Sequence, residues 1–202
     1  MSATATEAMR DTGWGRPDWD DLRARPENLD AALPMLRVAL SERTESAPFA
    51  LTRAGAKGEA ATATLIEAIS SRSPEHIADA ARDLAGLGEG STPAGDDFLV
   101  GVMYGVHATR PGGEARRRCE SIAATATPRT TRVSALWLQR AAGGEAIPTW
   151  NLFLAAIADG EPAAIRSRAD QVLGLGHTSG FAALSGFVAA VERLCRPQGE
   201  RA

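Results

Sequence analysis

The chain is poor in large side chains, in lysine and in cysteine. Its 202 residues include one tyrosine, five phenylalanines and four tryptophans. Sheets draw on β-branched and aromatic residues, so this scarcity argues against one. Cys119 and Cys195 lie far apart and outside any CxxC spacing. That pattern writes neither a disulfide framework nor a zinc site and suits two reduced thiols. Lys57 is the only lysine, so chemistry needing a lysine nucleophile is excluded unless Lys57 supplies it. The formal net charge of −3 excludes nucleic-acid affinity from bulk charge, although not from a local patch. Apolar runs are short and interrupted, so no membrane span is expected. The opening MSATATEAMRDTGWG lacks the apolar segment of a signal peptide, and a cytoplasmic location is the expectation.

Small residues are abundant instead: 40 alanines and 20 glycines. A core of such residues calls for helices packed at short range. Residues 1–28 are polar and broken by Gly13, Gly15, Pro17 and Pro26. They read as an extended arm able to dock through Trp14 and Trp19. Residues 29–195 read as one helical domain and 196–202 as a polar tail. Leu33, Leu36 and Leu40 mark a first helix, with Asp30 and Pro34 near its start. Further helices are predicted over 58–71, from a Ser73 cap through Leu84, and over 96–108. Others follow over 114–124, from Thr130 to Ala141, and over 150–158, 161–173 and 181–195. The stretch 47–53 is weakly strand-like. The fold class is all-α, a compact multi-helix domain.

Half of the glycines fall in two windows, 86–105 and 174–186. The first reads GLGEGSTPAGDDFLVGVMYG. Gly86, Gly88, Gly90 and Gly95 leave backbone amides uncovered, Ser91 and Thr92 add hydroxyls, and a helix opens at Asp96. Bare amides feeding a helix N-terminus can hold a phosphate or carboxylate. The spacing is not that of a Walker loop, because no GK[ST] follows. Adjacent helical residues point about 100° apart, so Asp96 and Asp97 take different roles. One caps the first turn while the other reaches into the site. Helix stabilisation by both, a Mg²⁺ ion bridging a carboxylate to bound phosphate, and direct contact with a substrate amide all remain open.

The second window, GLGHTSGFAALSG, echoes the first. Aligning Gly95 with Gly180 also aligns Leu99 with Leu184 and Gly101 with Gly186. We read an internal pseudo-repeat of glycine-rich loop plus helix, in which two closely crossing helices bring their loops to one end. Thr178, Ser179 and Gly180 supply hydroxyls and amides there. His177 occupies the place of Thr92 and is either a hydrogen-bonding loop residue or a proton carrier. TPRTTRVSALWLQRAAGG offers a third wall through Thr131 and Ser134, with Arg129 or Arg132 available to an anion, or else an ordinary capped helix start. Arg116, Arg117 and Arg118 read as a solvated face.

GLGEGSTPAGDDFLVG, TTRVSALWLQRAAGG and LGLGHTSGFAALSG, in this order, resemble a bacterial domain family found in small subunits associated with oxamate carbamoyltransferase. The resemblance covers roughly residues 80–190. It implies a helical domain with an anion site near the loops, partner subunits, and phosphorolysis of a carbamoyl amide such as oxalurate to carbamoyl phosphate. The chain departs from the family pattern at Glu89, Ser91, Ala94 and Ala182, and its first 57 residues have little counterpart to the family's β-rich N-terminal portion.

Two functions are carried forward. In the first, the chain is a carbamoyltransferase-type subunit acting on a small anionic or carboxamide substrate. Gly88, Gly90, Ser91, Thr92 and the 178–180 loop hold the anion, Asp96 or Asp97 orients the amide nitrogen, and His177 moves a proton. In the second it is a non-catalytic binding or assembly subunit, alone or as a homo-oligomer. No cofactor is specified by either.

Overall fold

The computed structural model describes residues 13–44, 55–71 and 73–195. Ten α-helices follow one another among them. They are α1 (Trp19–Ala24), α2 (Pro26–Thr44), α3 (Gly55–Ala68), α4 (Pro74–Arg82) and α5 (Ala94–Thr109). After these come α6 (Gly112–Ala126), a 3₁₀ turn (Thr127–Arg129), α7 (Arg132–Ala142), α8 (Pro148–Asp159), α9 (Pro162–Leu173) and α10 (Ser179–Cys195). No strand forms among the described residues, and Gly15 and Ala146 make one isolated antiparallel bridge. The all-α expectation holds. The stretch 47–53 lies outside the described residues.

The centre of the fold is α5. Every residue from Ala94 to Ala108 on it is buried, so it is enclosed all round rather than presenting one face to solvent. Its main partner is α10, and the approach is backbone to backbone. A Cβ added at Gly101 would stand 1.8 Å from the Ala183 carbonyl oxygen, and one at Gly186 would stand 2.2 Å from that of Phe98. These contacts are reciprocal in the register that aligns Gly101 with Gly186, since Phe98 then aligns with Ala183. Gly105 faces Ala190, its own counterpart in that register. Contact positions rise together along both helices, so the pair is parallel and both N-termini lie at one end. α6, α7 and α1 pack around α5.

Local chemistry places several boundaries. Ser73 accepts from the His76 amide and Thr131 from that of Ser134, each capping its helix as anticipated. α5 begins two residues earlier than predicted, because Pro93 presets the turn and its carbonyl takes the Asp96 and Asp97 amides. α2 begins at Pro26, and Pro34 lies inside it rather than near its start. Pro34 and Asp30 are both exposed there, where water can take up the carbonyl that a proline leaves unpaired.

Part of the segment expected to be extended is helical. Asp18 caps α1, a helix too short for periodicity to reveal. Trp19 is buried, stacks on His107 at 5.2 Å and donates its indole N–H to the Gly144 carbonyl at 2.9 Å. Trp14 meets Trp137 edge-on at 4.8 Å. Both indoles are thus engaged within the chain. Arg118 corrects the reading of its triplet as a solvated face. It is buried, donating to the Ile69 carbonyl and pairing with Glu114 at 2.6 Å. Burying its guanidinium is tolerable because both partners satisfy it.

Candidate functional site

The loop joining α4 to α5 is tied down at several points. Its glycines are needed where the chain turns: Gly86 and Gly88 have φ of +72° and +121°. A Cβ at Gly86 would also stand 2.4 Å from the Arg129 carbonyl oxygen. Asp96 holds this junction. Its Oδ1 accepts from the Gly86 amide at 2.9 Å and its Oδ2 from the Thr130 hydroxyl. Thr131 donates to the Ser91 carbonyl at 2.5 Å. Burial raises the Asp96 pKa, and the Thr130 hydroxyl and Gly86 amide work against that rise. Asp96 therefore fastens two loops to α5.

Asp97 points elsewhere. It lines a cavity of about 240 Å³ beneath both glycine-rich loops. Thr92, Val100 and Asp97 form one side of it, and Trp137 from α7 and Trp150 from α8 form another. Leu175, Gly176, Ser179, Gly180 and Ala183 close it from the second loop and α10. The loops meet here through Thr92 Oγ1 and Ser179 Oγ, 3.0 Å apart. Asp97 is 9% exposed, and its Oδ2 has no hydrogen-bond partner among the described residues. Burial is the largest influence on its pKa, lifting it from 3.8 to about 7. The neighbouring Asp96 charge adds to that rise, while the Ser179 and Thr92 hydroxyls oppose it. A buried acceptor without a donor is costly, so this oxygen is the clearest request for a ligand.

The other anticipated residues divide. Thr92, Ser179 and Gly180 reach the cavity. Gly88, Gly90 and Ser91 form an exposed stretch of loop. Gly95 packs against the Leu84 carbonyl and donates its amide to Leu87 at 2.8 Å. The Gly180 amide is likewise spent on Leu175 at 2.9 Å. These amides at the openings of α5 and α10 were expected to be bare, yet the tight turns that create the loops consume them. Thr178 accepts from the Ala182 amide, and Ser134 is buried in the first turn of α7. His177 is exposed and does not line the cavity, nor do Arg129 and Arg132. No group of three metal-ligating side chains gathers among the described residues.

Sequence reasoning missed the walls of the cavity, Trp137 and Trp150, which only tertiary packing brings together. In an aromatic-poor chain, their rarity was the available signal. It also missed His107, which borders a larger cleft of about 610 Å³ with Arg16, Arg23 and Arg116. Those arginines are already used, on Gly143 O, His107 O and Glu120 respectively. The smaller cavity is therefore the better candidate, because it holds a buried carboxyl oxygen without a partner among the described residues.

Comparison with family models matches residues 84–191, more than half of the chain, to a family described as oxamate carbamoyltransferase subunit AllH. The chain belongs to this family. The matched AllH segment contains both glycine-rich loops, all of α5, α10 up to Val191 and every residue lining the Asp97 cavity. No curated protein and no solved structure matches the chain. None of the helices in the described residues is long and apolar enough to cross a membrane.

Proposed function

We propose that the chain is the subunit of an oxamate carbamoyltransferase-type complex that holds the carbamoyl or carboxamide group of a small substrate in the Asp97 cavity. The observation that carries this reading is the buried, unpartnered Oδ2 of Asp97. An amide N–H is the donor that would satisfy it. The volume suits a ligand of only a few heavy atoms, since sites for drug-sized molecules run from about 300 Å³ upward. An anionic end of the same molecule would stay outside the cavity, at the exposed loop residues 88–91 near the converging N-termini of α5 and α10. The loop-plus-helix pseudo-repeat is part of this reading, supported by the reciprocal Gly101 and Gly186 contacts. The complex is placed in the cytoplasm, where two free cysteines remain reduced.

A second reading, a binding subunit that leaves chemistry to its partners, is favoured by the cavity lining itself. Among the described residues Asp97 is the only ionisable side chain that lines the cavity. The two readings share the site and differ in turnover. Calorimetry with oxamate and the whole chain should detect binding that Asp97→Ala weakens at least tenfold. Affinity untouched by that substitution would remove the site. Turnover in a reconstituted complex that survives Asp97→Ala would leave the chain an assembly subunit.

A further inference from the structure

Resting on the proposed site, the geometry points to a charge rule for its ligand: Asp97 meets the ligand as an uncharged acid, and the cavity selects a neutral primary carboxamide over a carboxylate or an ammonium group. A primary amide presents a carbonyl oxygen and an N–H side by side. A protonated carboxyl presents the complementary pair, so its O–H donates to the amide carbonyl and its C=O accepts the amide N–H. An ionised carboxylate could accept the N–H but would oppose the amide oxygen and leave a buried net charge.

The surroundings favour the neutral pair. Among the described residues the cavity walls offer no cation. The polar neighbours on the facing loops are the hydroxyls of Thr92 and Ser179, linked to each other, and their pull toward the ionised form is smaller than the effect of burial. Trp137, Trp150 and Ala183 complete an apolar enclosure. The other carboxyl bearing on Asp97 is Asp96, on its own helix, which raises the cost of a second negative charge. A ligand carboxylate entering here would be buried without a countercharge. An ammonium group would require Asp97 to ionise.

The test is a pH series of oxamate binding to the whole chain, with oxalate as the matched carboxylate and methylammonium as the cation. Binding of oxamate to the protonated form alone should weaken about tenfold per pH unit above 7. Oxamate at a hundred times its Kd should move the Asp97 carboxyl titration, followed by ¹³C NMR, upward by about two pH units. Asp97→Asn offers the same donor and acceptor without ionising, so it should bind oxamate with little pH dependence and more tightly than the wild type at pH 8.5. Oxalate and methylammonium should bind at least tenfold more weakly than oxamate at pH 6. Oxamate affinity that is flat or rises through pH 7, yet is still lost in Asp97→Ala, overturns the charge rule and leaves the site standing. Oxamate affinity unaffected by Asp97→Ala overturns both.

Discussion

At the scale of single residues, two buried groups tilt stability in opposite directions with pH. The folded pKa of Asp97 is raised from 3.8 to about 7, so its folded form keeps a proton that the unfolded chain gives up. Stability from this group is present below the unfolded value and is lost as pH rises through about 4 to 7. At about 1.4 kcal/mol per pH unit, the loss is at most about 4 kcal/mol. His107 behaves inversely. Burial lowers its pKa from 6.5 to about 4 against two backbone carbonyls that favour the charged form, with Arg23 and Arg16 adding to the depression. Its contribution is present above 6.5 and is lost as pH falls toward 4, up to about 3 kcal/mol. Urea unfolding should show Asp97→Asn gaining on the wild type between pH 4.5 and 7.5. The net advantage at the upper end should be about 1–3 kcal/mol, once the cost of the new amide is counted. His107→Gln should lose more ground at pH 7.5 than at pH 4.5. Curves that stay parallel to the wild type would contradict both assignments. A destabilising carboxyl is what a binding site that compromises stability would show.

At the scale of elements, the parallel α5–α10 pair sets the position of both loops. Neither Gly101 nor Gly186 can accept a methyl, because the atom each would meet is a backbone carbonyl oxygen. Overpacking of this kind costs about 1–3 kcal/mol, occasionally more. Gly101→Ala and Gly186→Ala should each lower Tm by roughly 2–12 °C in a chain of this size. A change under about 1 °C in either would contradict the close crossing. This pair was legible in sequence, since small residues four apart on two helices signal close approach. The helix caps at Ser73 and Thr131 were legible for the same local reason. α1 was not, because six residues between Pro17 and Pro26 carry no period. The commitment of Asp96 to Gly86 and Thr130 was not legible either. Two adjacent aspartates look alike as letters, and only the path of the 127–131 segment decides which one is consumed.

At the scale of the whole molecule, the described N-terminal segment stands behind the site. Gly15 pairs with Ala146, Trp19 bonds Gly144, and Trp14 packs edge-on against Trp137, a wall of the cavity. This segment lies outside the residues matched to the AllH family, yet it braces a residue inside them. Composition pointed to close-packed helices, and the glycine windows pointed to the end of the fold where the loops meet. The enclosure itself comes from α5, α7, α8 and α10 together, a convergence that no local pattern encodes.

The central claim is that this enclosure, with Asp97 at its base, receives a carboxamide. A crystal structure of the chain grown with oxamate tests it most directly. The account predicts oxamate between Trp137 and Trp150, its amide within about 3 Å of the Asp97 carboxyl and its carboxylate toward residues 88–91. Oxamate seated in the cleft of Arg16, Arg23 and Arg116, with the Asp97 cavity unoccupied, would contradict it.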